Sequence, residues 1–212
     1  MNEAMGALIV FEGGDGCGKT TQVQLLAERL KKNHQILLMR EPGGTDVSEA
    51  IREILLNPKL SVKPEAELLL FAASRAQLVR ERIMPALKAG LFVICDRFVE
   101  STTVYQGIAR HMGLQAVEAV NKIALGDLVP TVTFLLNVPC QTSRQRIFLR
   151  NGADFGLDRM EREDFSFDGS IQNGYLELAK QHPDRMVVVD GTPDPKVVSD
   201  TIWGHLKARG LV

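Results

Sequence analysis

The chain has 212 residues, 45% of them hydrophobic, which suits one sizeable domain with a proper core. A formal net charge of -1 excludes a global pull on a polyanion such as DNA, so any phosphate binding has to come from locally placed cations and backbone amides. Cys17, Cys95 and Cys140 cannot all pair and lack metal-ligand spacing, residues 1–5 carry no basic start before a long apolar run, and no window reaches the roughly 18 apolar residues of a membrane span. The expectation is therefore a cytoplasmic protein with reduced thiols, no nucleic-acid partner and no membrane partner.

The first apolar run, residues 7–11, reads as a buried strand, and a helical pattern follows at 20–32. Between them Gly13-Gly14-Asp15-Gly16-Cys17-Gly18-Lys19-Thr20 matches the P-loop pattern in its required strand-to-helix setting. Glycines let backbone N–H groups turn inward, the helix start adds its positive dipole end, Lys19 can reach a transferring phosphate and the Thr20 hydroxyl can ligate Mg²⁺. Cys17 reads as a small filler of a tight loop, with an alkylatable thiol at a helix N-terminus as the other reading.

A second strand at 35–39 leads into Arg40-Glu41-Pro42-Gly43-Gly44-Thr45 and a helix at 46–56. A long helical pattern follows at 65–88, in which Phe71 and Arg75 stand four apart and so share a face. Together they could stack on and donate to a base, although Phe71 alone suits the core and Arg75 alone suits the surface. The third strand, 91–95, delivers Asp96 and Arg97 to its carboxyl end, the edge where α/β sheets bind ligands, followed by the polar run 100–107. Asp96 is placed there for a Mg²⁺ shell and Arg97 for a second phosphate.

Residues 114–125 read as a helix containing Asn121-Lys122-Ile123-Ala124, which lacks the Asp of a guanine-reading motif and argues against a GTPase. A strand at 132–138 and a helix at 142–149 precede residues 150–170, which mix Gly, Asp, Arg and Phe without period and read as a mobile insert or a long surface loop. A helix at 169–181, a strand at 186–189 and a helix at 196–209 complete the chain. Alternating elements of this kind predict an α/β fold of P-loop NTPase type: a three-layer arrangement with a five-stranded parallel sheet flanked by helices, in one domain over 1–212 with a short insert at about 150–170. From the residues alone, a kinase for some nucleoside monophosphate or deoxynucleoside, and a regulator that binds ATP without transfer, both stay open.

At residues 11–21, 40–45, 71–75, 96–97 with 101–107, and 157–159, the sequence resembles thymidylate kinase, the nucleoside monophosphate kinase acting on dTMP, over nearly the whole chain. The resemblance implies ATP as phosphoryl donor, Mg²⁺ held at Thr20 and Asp96, dTMP as acceptor, and a homodimer formed through helix packing. It implies phosphate-loop contacts from Gly13 to Thr21, with Arg146 also on the donor side. On the acceptor side it implies Phe71 stacking on thymine, Arg75 donating to O4, Thr102 and Gln106 facing the N3 edge, and Tyr105 crowding the 2′ position of the sugar. Arg97, Arg40 and Arg52 resemble the set holding the acceptor phosphate, Glu41 lies in the same segment, and Asp15 resembles an acid near the dTMP sugar and phosphate. The insert resembles a lid over ATP, and the P-loop, with Asp15 and Cys17 where an Arg could sit, resembles the bacterial type whose catalytic arginines lie in that lid, here Arg150 and Arg159.

Overall fold

The structure is a computed structural model that describes residues 6–151, 158–160 and 165–212. Five strands form one sheet: β1 (Leu8–Glu12), β2 (Ile36–Arg40), β3 (Phe92–Asp96), β4 (Val132–Asn137) and β5 (Met186–Asp190). Their order is β2-β3-β1-β4-β5, and every neighbouring pair is parallel. Parallel neighbours need long crossovers, and these are helical. The helices among the described residues are α1 (Lys19–Leu30), α2 (Asp46–Leu56), α3 (Pro64–Leu78), α4 (Met84–Lys88), α5 (Val99–Thr102), α6 (Leu114–Leu125), α7 (Cys140–Asn151), α8 (Phe165–Gln181) and α9 (Pro195–Ala208).

The alternation of side chains along β1 explains the layers. Ile9 and Phe11 pack on one side with Val23, Leu26 and Leu30 of α1 and Ile202 and Leu206 of α9. Leu8 and Val10 pack on the other with Leu78, Ile83 and Leu87. A strand covered on both faces in this way can be apolar throughout, and all of β1 is buried. The edge strands differ from the expectation of fully buried strands: β2 is only half-buried and β5 is exposed at Val188 and Asp190, because each lacks a neighbour on one side.

Register then fixes the working edge. Phe11 pairs with Asp96, and Arg40 also pairs with Asp96, so the carboxyl ends of β1, β2 and β3 finish at one level. The phosphate loop, the segment after β2 and Asp96–Arg97 all open there, on the side where chain connections diverge from β1. Thr45 caps α2, its hydroxyl accepting from Ser48 N at 3.1 Å, which holds the segment after β2 against the sheet edge.

Three element boundaries depart from the sequence reading. The pattern at 65–88 is interrupted by a π-helical turn at Val79–Ile83, directly before Pro85, which has no N–H to donate back into the helix. The polar run 100–107 is helical, passing from α5 into a π-helical stretch at Thr103–Ala109, because Val104, Tyr105 and Ala109 have an apolar partner in α8. Helices α7 and α8 also extend into the expected insert, to Asn151 and from Phe165; residues 152–157 and 161–164 of that insert lie outside the described residues. Among the described residues no helix is long and apolar enough to cross a membrane.

Candidate active site

The phosphate loop is built around close backbone approach. Gly13 has φ +136°, and a Cβ there would lie 2.7 Å from the Leu136 carbonyl oxygen and 2.8 Å from Cys17 Sγ, so only glycine fits. Lys19 is buried, with Nζ donating to the carbonyl oxygens of Gly13 at 3.0 Å and Gly14 at 2.8 Å. The ammonium is therefore parked over the mouth of its own loop. Cys17 is buried with its sulfur 3.7 Å from the same ammonium, which agrees with a filler role.

Thr20 Oγ1 donates to Asp96 Oδ2 at 2.7 Å, so a hydroxyl and a carboxylate meet beside Lys19. This pair of hard oxygens fits Mg²⁺, which commonly takes one or two protein oxygens and completes its shell with water and phosphate. Among the described residues no group of three or more His, Cys, Asp or Glu forms an all-protein metal cage.

Arg97 lies at the centre of the second charged group. Its NH2 bonds Asp15 Oδ1 at 2.6 Å, its NH1 reaches the Gly13 carbonyl at 3.1 Å and Ser101 Oγ at 3.2 Å, and its guanidinium lies 5.2 Å from the centre of the Tyr105 ring. Its backbone is left-handed, φ +69°, a conformation that costs a bulky residue of the order of 1–3 kcal/mol and is held here by these contacts. Burial alone would raise the Asp15 pKa, but Arg97 and Lys19, with Arg150 adding to them, hold it below the usual carboxylate range. Asp15 thus joins the phosphate loop to the arginine expected at a second phosphate.

Behind this pair stands Glu12, fully buried at the end of β1. Its Oε1 accepts from the N–H groups of Phe98 at 2.8 Å and Ser101 at 3.0 Å, and its Oε2 from Ser101 Oγ and Tyr175 OH, both at 2.7 Å. Burial and the nearby Glu100 raise its pKa against the opposing pull of Arg97 and these hydrogen bonds. Glu12 pins the turn that carries Arg97 to the P-loop strand.

The expected base end is differently arranged. Phe71 is half-buried on the cleft wall, but Arg75 is 1% exposed and each of its three guanidinium nitrogens is engaged. Nε and NH2 bond Glu41 Oε2 at 2.7 and 2.6 Å, NH1 bonds Thr102 Oγ1 at 2.9 Å and Asn121 Oδ1 at 3.2 Å, and NH2 also bonds the Phe98 carbonyl at 3.0 Å. Donation to a base would require one of these to open. The aromatic plane nearest its cation is Phe98, at 5.7 Å, rather than Phe71. Burial, outweighing Arg75, pushes the Glu41 carboxyl up to about 7. Thr102, Tyr105 and Gln106 line the cleft, the Tyr105 ring edge-on to Tyr175, and burial raises the Tyr105 phenol strongly.

Among the remaining cations, Arg40 bonds Glu49 at 2.8 Å and stays half-exposed, while Arg52 donates to the Pro42 carbonyl at 2.8 Å with its pKa lowered by burial and by Arg40. Arg146 lies against the loop after β5, donating to the carbonyls of Gly191 at 3.1 Å and Thr192 at 3.3 Å. Arg150 lines the cleft; Arg159 instead bonds Glu67 Oε2 at 2.5 Å and the Leu55 carbonyl at 2.7 Å. Thr21 and Gly18 complete the donor-side lining of a single cleft of about 930 Å³ that runs from the P-loop to Phe71 and Gln106.

Four side chains in or behind this site escaped the site reading from sequence: Glu12, Glu67, Ser101 and Tyr175. Glu12 and Ser101 stand inside the quoted motifs, and a charged residue closing an apolar strand was the available signal for Glu12. Tyr175, on α8, had none.

A parallel sheet with a P-loop at one strand end and an Asp-Arg pair at the next, both opening on one elongated cleft, defines a phosphotransferase of the P-loop class. The family model described as thymidylate kinase matches residues 11–202. The thymidylate kinase of Caldanaerobacter subterraneus subsp. tengcongensis is 49% identical over 207 residues, 95% of this chain and 97% of its own. That of Chlorobium chlorochromatii is 46% identical over 210 residues, covering 95% and 93%, and that of Kosmotoga olearia 43% over 195 residues, covering 92% of each. The chain belongs to the thymidylate kinase family.

Proposed function

We propose that the chain transfers the terminal phosphoryl group of ATP to dTMP, giving ADP and dTDP in the supply of dTTP, with Mg²⁺ as the metal. A phosphate oxygen of dTMP forms the new P–O bond while the bond between the γ-phosphorus and the bridging oxygen breaks, its electron pair leaving with ADP. The acceptor oxygen is already anionic at neutral pH, so no general base is needed. Lys19 leaves its two carbonyls to neutralise the transferring group, Asp15 and Arg97 align the acceptor phosphate, and the cleft contributes position and charge rather than a covalent intermediate. Mg²⁺, held at Thr20 and Asp96, would supply charge neutralisation on the phosphates of ATP.

The observation that carries this reading is the one cleft shared by the P-loop, Arg97 and the side chains Phe71, Thr102, Tyr105 and Gln106. Phe71 offers a stacking face, and thymine's N3–H and O4 ask for an acceptor and a donor, which the Gln106 carbonyl and the Thr102 hydroxyl can supply. Arg150 is the lid arginine supported in this conformation, because its charge already acts on Asp15. Arg159 would reach a phosphate only after leaving Glu67 and Leu55. We also take the chain as one domain with a lid at about 150–170, and as a cytoplasmic homodimer. Leu69 on α3 and Ile123 on α6, both more than half open on helices that pack together, support a surface for a second copy.

The test is a panel of monophosphates assayed by coupled ADP release. dTMP is expected to give the highest kcat/KM; another monophosphate, or thymidine itself, ranking above it overturns the reading. In the same panel Tyr105→Leu, which removes bulk beside the sugar, is expected to lower the preference for dTMP over ribo-TMP by about tenfold, the scale of a steric sieve against one hydroxyl. An unchanged ratio assigns the gate to another residue.

A further inference from the structure

Glu67 has no place in the phosphate machinery, yet it is buried at 1% exposure on α3 and gathers groups from two other segments. Its Oε1 accepts from Gln106 Nε2 at 2.7 Å and from Arg110 Nε at 3.3 Å. Its Oε2 pairs with Arg159 at 2.5 Å. An ionised carboxylate can only accept hydrogen bonds, whereas a glutamine amide has a donating and an accepting end that differ little in shape. Facing Glu67, the amide of Gln106 can satisfy the carboxylate only with its NH₂ end. The carbonyl end is thereby the end left for the cleft that Gln106 lines, and among the described residues no donor holds it.

We infer that Glu67 is a specificity-determining positioning residue: it locks the Gln106 amide so that an acceptor meets the pyrimidine N3, selecting a base with an N3–H over one with a bare N3. This rests on the proposed reading that Gln106 faces the base. Thymine and uracil carry a proton on N3, and cytosine carries a lone pair there. With the amide locked, a cytosine N3 faces a carbonyl oxygen, so two acceptors oppose each other and neither is satisfied. A buried polar mismatch of this kind discriminates far more strongly than a change in shape. The device works by excluding the wrong base as much as by holding the right one. The same carboxylate holds Arg159 of the 158–160 segment, so the base reader and that segment share one anchor.

Glu67→Gln tests the lock, because a second amide can present either end to Gln106 and so releases it to rotate. The expected result is a fall of about tenfold or more in the ratio of kcat/KM for dTMP over dCMP, with dCMP use rising in absolute terms. Glu67→Asp, which keeps an acceptor-only group, is expected to retain most of the ratio. A folded Glu67→Gln enzyme with the wild-type ratio overturns the inference, even if its overall activity drops, since a purely structural role moves both substrates together. Glu67→Met serves where the glutamine variant does not fold, with the same expected fall. The wild-type enzyme gives an arm independent of folding: 3-methyl-dTMP, which has no N3 proton, is expected to be used at least tenfold less well than dTMP, and equal use overturns the inference. Gln106→Leu separates the two claims. If it leaves dTMP kcat/KM unchanged, the base-reading role fails; if it lowers that value while Glu67→Gln keeps the ratio, only the lock fails.

Discussion

Lys19→Ala is expected to lower kcat by on the order of 10²–10³-fold, the loss typical of removing one preorganised charge from a transition state. The residue has its ammonium shared between the Gly13 and Gly14 carbonyls, and nothing else among the described residues brings an ammonium to that point. The charge on the transferring phosphoryl is spread over its outer oxygens during transfer, so a cation there acts more on the transition state than on bound ATP. KM for dTMP is expected to stay within a few-fold of wild type, because Arg97 and the base end are untouched. Lys19→Arg is not expected to rescue, since a planar fork is not equivalent to a compact ammonium between two converging carbonyls. The thermal melt checks that the fold survives, and steady-state kinetics read the split; wild-type turnover would remove Lys19 from the chemistry.

Arg75→Leu carries the second large effect, and it falls on stability first. Arg75 and Glu41 have side chains 1% and 4% exposed, and removing one partner of such a pair leaves the other buried without compensation, at a cost of about 3–5 kcal/mol. Thr102, Asn121 and the Phe98 carbonyl lose a donor at the same time. For a chain of this length that corresponds to a fall in Tm of roughly 10 °C or more. The pH dependence has a definite sign. Glu41 already has a raised pKa of about 7, so its folded form takes up a proton more readily than the unfolded chain. Stability linked to that proton is full below the unfolded value near 4.5 and is lost as pH rises through about 7. With the arginine gone, the carboxyl rises further, and the loss on going from pH 5 to 8 is expected to be steeper in the variant than in the wild type. Parallel Tm profiles would mean that Glu41 does not depend on Arg75 for its charge.

These residues also separate what a sequence can tell from what it cannot. The P-loop was legible because all its parts lie within eight consecutive residues and each has one physical reason to be there. Asp96 and Arg97 were legible because the end of an apolar strand has a known place in a parallel sheet. Arg75 could be picked out by its spacing from Phe71, but its burial could not, because its partners Glu41 and Asn121 are 34 and 46 residues away. Asn121 was met only as part of a failed GTPase motif, and its work in the fold is to accept from Arg75. Tyr175 reaches Glu12 across 163 residues of chain, a contact no local pattern encodes. The helical state of 99–109 was hidden for a related reason: its polar side chains are buried by hydrogen bonding to a distant carboxylate and arginine, so the stretch shows only as a polar run without an apolar period.

Product analysis by ³¹P NMR on the purified chain with ATP, Mg²⁺ and dTMP tests the phosphoryl transfer itself. The expected spectrum shows the two phosphorus signals of dTDP growing in step with ADP, with no inorganic phosphate, and no growth when Mg²⁺ is chelated. ATP consumed to inorganic phosphate while dTMP persists, or no reaction under conditions where the protein is folded, would contradict it.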